Sequence, residues 1–249
     1  MPFSGLIWFL LMLLPLITFQ RLLHREIQIV IYLMTGNAQL TIAIYSILFF
    51  PGVLLHEASH FLMAKILGVR TGKFSVIPKP LPNGRLRMGY VETQQSDVFR
   101  DSLIGLAPLI AGTLFVAYAG ILQLQLHTLW NVFRNGQFNL FWMGIGLLPS
   151  IPDIYVWFYL TFAVSSTMLP SESDRHAWLP LGIWAAALFT LAIFSGAGTW
   201  LINNLAPPLN DFLNSIALLF MLSNFVHLIL LFPFYLLRRF LVVVIQAAK

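Results

Sequence analysis

Between Gln39 and Val69 the chain is apolar except at one place, where Leu54-Leu55-His56-Glu57-Ala58-Ser59-His60-Phe61-Leu62 sets a glutamate and two histidines into the run. His56, Glu57, His60 and Lys65 are the residues in this stretch that are charged or titrate near neutral pH. Placing such groups at bilayer depth is costly unless something pairs or uses them. Residues four apart share one face of a helix, so His56 and His60 can present their imidazoles to a single metal ion, with Glu57 beside it as a candidate general base. The spacing suits Zn²⁺ held by two histidines while the glutamate works on a water molecule. The plainer alternative is a buried, hydrogen-bonded His/Glu cluster without a metal.

The surroundings of the motif decide the class of protein. The chain is 59% hydrophobic and 9% charged, with a mean hydropathy of +0.83, values that set it apart from soluble domains and point to an integral membrane protein. Its 249 residues leave room for about six transmembrane helices and a single membrane-embedded domain, residues 1–249. The net charge of +5 is spread over the loops and reports topology, so no nucleic-acid partner is expected. There is no cysteine, which restricts any zinc site to His and carboxylate ligands. The N-terminal run lacks a charged region and a small-residue cleavage site, and it reads as a retained span.

In order, the expected spans cover residues 4–20, 39–67, 102–122, 153–167, 176–195 and 211–232. Ile27 to Met34 either continues the first helix or lies at the interface, and Thr35-Gly36-Asn37 reads as a turn. Pro51-Gly52, one turn before His56, can loosen that helix and admit water. Residues 68–101 change character to charges, prolines and short alternating runs, which predicts a cytoplasmic β-hairpin on the membrane surface: strands over Lys73 to Ile77 and Arg85 to Val91, with a turn at Pro82-Asn83-Gly84. Such a hairpin could lend an edge to an extended substrate. The third span is rich in small residues, among them Gly105, Ala107 and Gly112, and should pack closely on the motif helix. Gln123 to Ser150 suits interfacial or re-entrant helices, and Gly196 to Asn210 reads as a loop.

Zinc needs a third protein ligand and an open position for water. Asp153 and Asp174 lie in similar sequence, each preceded by a Leu-Pro-Ser. Six alternating spans place residues 65–100, 170–176 and 238–249 on one side, which carries most Lys and Arg and is therefore cytoplasmic. His60 is close to that face and Asp174 shares it, whereas Asp153 belongs to the opposite one. Asp174 is thus the expected third ligand. Glu172 is a weaker substitute, Arg175 and His176 are expected to be interfacial, and His24, His127 and His227 structural.

These residues resemble the site-2 protease family of intramembrane zinc metalloproteases. The similarity covers about two thirds of the chain: the motif helix, Gly68-Val69-Arg70 leading to Phe74-Ser75, a hairpin ending in Gly89-Tyr90-Val91, an Ala107-Pro108 helix and the distal aspartate. The pattern departs from the family at Ser166, where an Asn is usual eight residues before the aspartate, at Arg175 in place of Gly, and at Ala107 in the family's Gly-Pro. The resemblance implies that His56, His60 and Asp174 bind zinc, that Glu57 is the catalytic base, and that transmembrane proteins are the substrates; the charge distribution adds the expectation of a cell (inner) membrane with the site near the cytoplasmic side. Two other classes remain open from sequence alone: a cation transporter or channel lined by the same side chains, and a proteolytically silent membrane scaffold.

Overall fold

The computed structural model describes residues 4–80 and 86–247. Helix α1, Ser4–Thr35, runs without a break through the basic stretch at Arg21 and Arg25, so Ile27 to Met34 continues the first span. The chain then reverses over two residues. The Asn37 side chain caps the next helix by accepting from the Gln39 and Leu40 amides, and Tyr32 takes the Gly36 amide on its carbonyl. Helix α2, Ala38–Ile66, carries the motif and stays helical through Pro51. Gly52 serves close packing: a methyl group there would lie 2.2 Å from the Ala163 carbonyl oxygen.

The segment after α2 forms the expected hairpin with different strand limits. Strand β1, Thr71–Ser75, pairs antiparallel with β4, Tyr90–Thr93, through a bulge between Thr71 and Phe74. Further out, β2, Lys79–Pro80, pairs with β3, Leu86–Arg87. The expected turn at Pro82-Asn83-Gly84 and the start of the second strand at Arg85 fall outside the described residues. Val76, Leu86 and Met88 pack against the buried cluster that holds Phe49, Val53 and Phe162, so the hairpin lies along the helices and shares their core.

Helix α3, Val98–Tyr118, starts at Asp97, whose carboxylate accepts from the Phe99 and Arg100 amides, and continues as a wider helical turn to Gln123. Two short helices with no buried residues follow, α4, Leu126–Arg134, and α5, Phe138–Leu147. Asp153 then opens α6, Ile154–Ser165, with a left-handed backbone (φ 57°), and the chain bends by 97° there. After a loop over residues 166–177 come α7, Trp178–Ala192, the single turn α8, Gly198–Trp200, and α9, Ala206–Ala247. The loop expected over Gly196 to Asn210 is helical instead, kinked at Gly196 (φ 87°), and α9 stays helical through Pro233.

Four helical runs are long and apolar enough to cross a bilayer, and the bent α5–α6 pair makes a fifth candidate. Their directions follow from named contacts. The Gly5 amide donates to Asn210 Oδ1 at 2.6 Å, Asn224 Nδ2 donates to the Met12 carbonyl at 2.9 Å, and Glu26 pairs with Arg238. Residue numbers rise together along both helices, so α1 and α9 run parallel, with Leu16 and Phe220 buried between them. Six alternating spans would make the first and last antiparallel. The parallel course of α1 and α9 departs from that order, and Arg238 lies beside Arg25 and Glu26 of α1.

Because the native sequence has no cysteine, single replacements can report these directions. Met34→Cys and Gln246→Cys should react with a membrane-impermeant maleimide from one side of oriented vesicles, and Lys73→Cys from the other. Labelling of Gln246→Cys together with Lys73→Cys would restore the alternating order.

Candidate metal centre

The two motif histidines are oriented by backbone carbonyls that have no helical donor to accept from. His56 Nδ1 lies 2.6 Å from the Thr167 carbonyl and His60 Nδ1 lies 2.8 Å from the Ile104 carbonyl. A carbonyl can only accept, so each Nδ1 carries the proton and each Nε2 is left with its lone pair. Thr167 stands just past the end of α6, where carbonyls lose their intrahelical partners. Ile104 lies inside α3, but its partner four residues on would be Pro108, which has no N–H. The proline thus frees the one carbonyl that turns His60 toward the site.

Asp174 completes the group. His60 Nε2 is 3.3 Å from Asp174 Oδ1, His56 Nε2 is 3.6 Å from Oδ2, and the two Nε2 atoms are 3.2 Å apart. Nitrogen and oxygen ligands at about 2.0–2.1 Å from a tetrahedral ion stand about 3.3–3.4 Å from one another, close to these edges. Two lone pairs and a carboxylate facing each other at this range repel unless a cation lies among them. The donor set therefore fits a metal ion, and His56, His60 and Asp174 form the one such group among the described residues. The Ser171 amide donates to Asp174 Oδ2 at 2.7 Å.

Small residues let the Asp174 loop reach this position. A methyl group at Gly105 would fall 1.9 Å from the Asp174 carbonyl oxygen, and one at Gly112 would fall 2.3 Å from Met168 Cβ. The loop is also tied to the start of α3, since Ser102 Oγ donates to the Ala177 carbonyl at 3.2 Å and His176 Nε2 lies 3.6 Å from Asp101. Helix α3 does pack beside α2, at the buried Ala64–Val69–Ile104 cluster, but its Gly105 and Gly112 face the Asp174 loop and Met168.

Glu57 is buried on α2 next to His56, on the flank covered by the hairpin. A methyl group at Gly89 would lie 2.7 Å from Glu57 Cγ and 2.9 Å from Oε1, so the glycine is what lets the hairpin backbone close over this carboxylate. Arg87 Nε donates to the Gly89 carbonyl at 3.2 Å and fixes that stretch.

Asp153 sits at the opposite end of α6, a helix about 18 Å long, and Glu172 does not join the donor group. Arg175 donates to the Ser171 carbonyl and braces the loop. His24 meets the Tyr45 hydroxyl at 2.9 Å, and His127 Nδ1 lies 3.1 Å from the Ile121 carbonyl. Ser166 does not touch the donors. His227 Nδ1 is 2.7 Å from the Ser223 carbonyl, so its Nε2 accepts, and Ser166 Oγ donates to it at 3.0 Å. Gln20 Nε2 donates to the Ser166 carbonyl. Thr167, which orients His56, is thereby clamped from α1 and α9. Sequence reasoning missed this clamp and both carbonyl anchors; only Pro108 carried a local sign of one.

The sequence matches no family model, and neither curated proteins nor solved structures give a significant match.

Removal of Asp174 by Asp174→Ala should abolish stoichiometric metal binding in detergent, measured by elemental analysis, while Asp153→Ala should leave it intact. Pro108→Ala returns a helical N–H to the Ile104 carbonyl in competition with His60. Metal affinity should then fall roughly tenfold to a hundredfold, the range for lost outer-shell partners, without loss of thermal stability.

Proposed function

We propose that the protein is an intramembrane zinc metalloprotease that hydrolyses peptide bonds in or near transmembrane segments of other membrane proteins. The observation that carries this reading is the approach of Asp174 to His56 and His60 with Glu57 one residue away on the same helix. Zinc is the metal proposed because the donors are two imidazoles and a carboxylate, no thiolate exists in the chain, and three protein ligands leave one position open. The resemblance of the motif, the hairpin and the distal aspartate to site-2 proteases supports the same reading.

A bound zinc ion supplies Lewis acidity, lowering the pKa of water and polarising a carbonyl. The rest of the chemistry belongs to the chain. Thr167 and Ile104 keep both Nε2 lone pairs aimed at one point, and Asp174 adds the negative charge. Glu57 takes a proton from the attacking water and delivers it to the leaving amide nitrogen, so that a peptide bond and a water become a carboxylate and an amine. A transmembrane helix must unwind before its carbonyls are accessible. The β1–β4 ladder has two strands, which leaves outer edges on which an extended segment can pair.

For the membrane topology, five crossings satisfy the parallel α1–α9 pair: α1, α2, α3, the bent α5–α6 and α9. The stretch from Trp178 to Leu205 then begins and ends on the metal-site side. Among the described residues, this order puts Lys65, Arg70, Lys73, Lys79, Arg87, Arg100 and Arg175 on that side, against Arg21, Arg25, Arg134, Arg238 and Arg239 on the other. The excess is smaller than in the alternating order but has the same sign, which favours a site near the cytoplasmic face of a cell membrane.

The test is cleavage of candidate membrane peptides by purified protein. Glu57→Gln should keep bound zinc and lose roughly a hundredfold or more in rate, the scale of general acid–base catalysis. Full activity in that variant would remove the proposed base, and metal uptake into proteoliposomes without cleavage would favour a transporter.

A further inference from the structure

A second charged cluster lies on the α1–α9 pair, past the Gln20 and His227 level that braces the metal centre. Glu26 is 3% exposed, and Arg238 Nε donates to its Oε2. Arg25 reaches the other carboxylate oxygen only loosely, at 3.4 Å, and its side chain is 64% exposed. One helical turn before Arg239, Tyr235 accepts from Arg239 Nε at 3.2 Å, and both Arg238 and Arg239 lie over its ring. Since that hydroxyl oxygen accepts, its own hydrogen is available to another acceptor. Two guanidinium groups thus meet one carboxylate and a third, that of Arg239, rests on Tyr235, leaving a surplus of positive charge.

Beside this cluster a groove of about 360 Å³ runs between the two helices, lined by Leu22, Leu228, Leu231 and Phe232 and by Arg25, Tyr235, Arg238 and the Arg-paired Glu26. The depth is informative. From Ser4 to Arg25 the helix rises about 32 Å, and the hydrocarbon layer is about 30 Å thick. With Ser4 at one interface, the arginines stand at the headgroup level of the other.

We infer that this groove is a binding site for an anionic phospholipid, its phosphate held by Arg25, Arg239 and the Tyr235 hydroxyl and one acyl chain lying along Leu22, Leu231 and Phe232. Guanidinium groups match phosphate in geometry as well as charge. The charge surplus selects an anionic headgroup over a zwitterionic one, whose ammonium would meet the same arginines. The apolar walls select a lipid over a free phosphate. A lipid bridging α1 and α9 would also shield the Glu26–Arg238 pair from the hydrocarbon.

The experiment is native mass spectrometry of the detergent-purified full chain, incubated in parallel with phosphatidylglycerol and phosphatidylcholine. The wild type should retain phosphatidylglycerol in preference. Arg25→Gln/Arg239→Gln, which spares the buried pair, should weaken that retention roughly tenfold to thirtyfold, on the scale of one surface arginine's attraction to anionic lipid taken twice, with phosphatidylcholine unaffected. Leu231→Trp, filling the groove, should weaken it without removing a charge. Equal retention of the two lipids by the wild type, or unchanged phosphatidylglycerol retention in the double variant, overturns the site. So does displacement of bound lipid by an equal concentration of glycerol phosphate, which lacks the chains. None of these readouts depends on metal content or on peptide cleavage.

Discussion

The geometry of the centre rests on two hydrogen bonds from imidazole Nδ1 atoms to main-chain carbonyls. Inside a membrane domain an imidazole cannot trade a poor partner for water, so the group that takes its Nδ1 proton decides where the ring points and which nitrogen is free. A helical carbonyl already engaged in its own ladder is a weak partner. The chain solves this in two ways, by ending α6 just before Thr167 and by placing Pro108 four residues after Ile104. Both rings then turn their Nε2 atoms toward Asp174. Without these carbonyls the same two histidines would still be four residues apart, but nothing would make them converge.

Close backbone approach is the second requirement, and it is met by glycines on the helices that flank the loop. Gly52 admits the Ala163 carbonyl, Gly105 admits the Asp174 carbonyl, and Gly112 admits Met168. Membrane helices gain little from burying apolar surface that lipid would cover equally well, so they hold together by contacts at short range and by polar pairs. At Gly105 a side chain would push away the residue that supplies the carboxylate. Packing and ligation are therefore the same contact seen from two sides.

The parts of this arrangement that could be read from the sequence are those in which cause and effect lie close together along the chain. The ligand pair His56 and His60 depends only on helical periodicity, and the small residues of α3 announce a tight helix contact wherever they fall. Asp174 was separable from Asp153 because α2, α3 and α6 do alternate in direction, and that local alternation suffices for the choice. What failed was its extension to the whole chain. The parallel course of α1 and α9 is set by Asn210, Asn224 and the Glu26–Arg238 pair, each joined to a partner more than 200 residues away, and no local pattern foretells such pairs. The hairpin was recognisable from its alternation and turn residues, but its place along the core was not, because Val76, Leu86 and Met88 read equally well as a half-buried surface strand.

The two histidines are held by different parts of the molecule. His60 answers to α3 through Ile104, while His56 answers to the end of α6, which Gln20 of α1 and His227 of α9 hold through Ser166. Asp174 lies on the loop that leaves α6 and comes to rest on α3, so it touches both parts at once. A shift of the α1–α9 pair relative to α2 would be felt first at Thr167 and only then at His56. It follows that the spacing of the three donors reports how all the crossing helices are packed, and that the pair most distant from the motif in sequence helps to determine whether its imidazoles face one point.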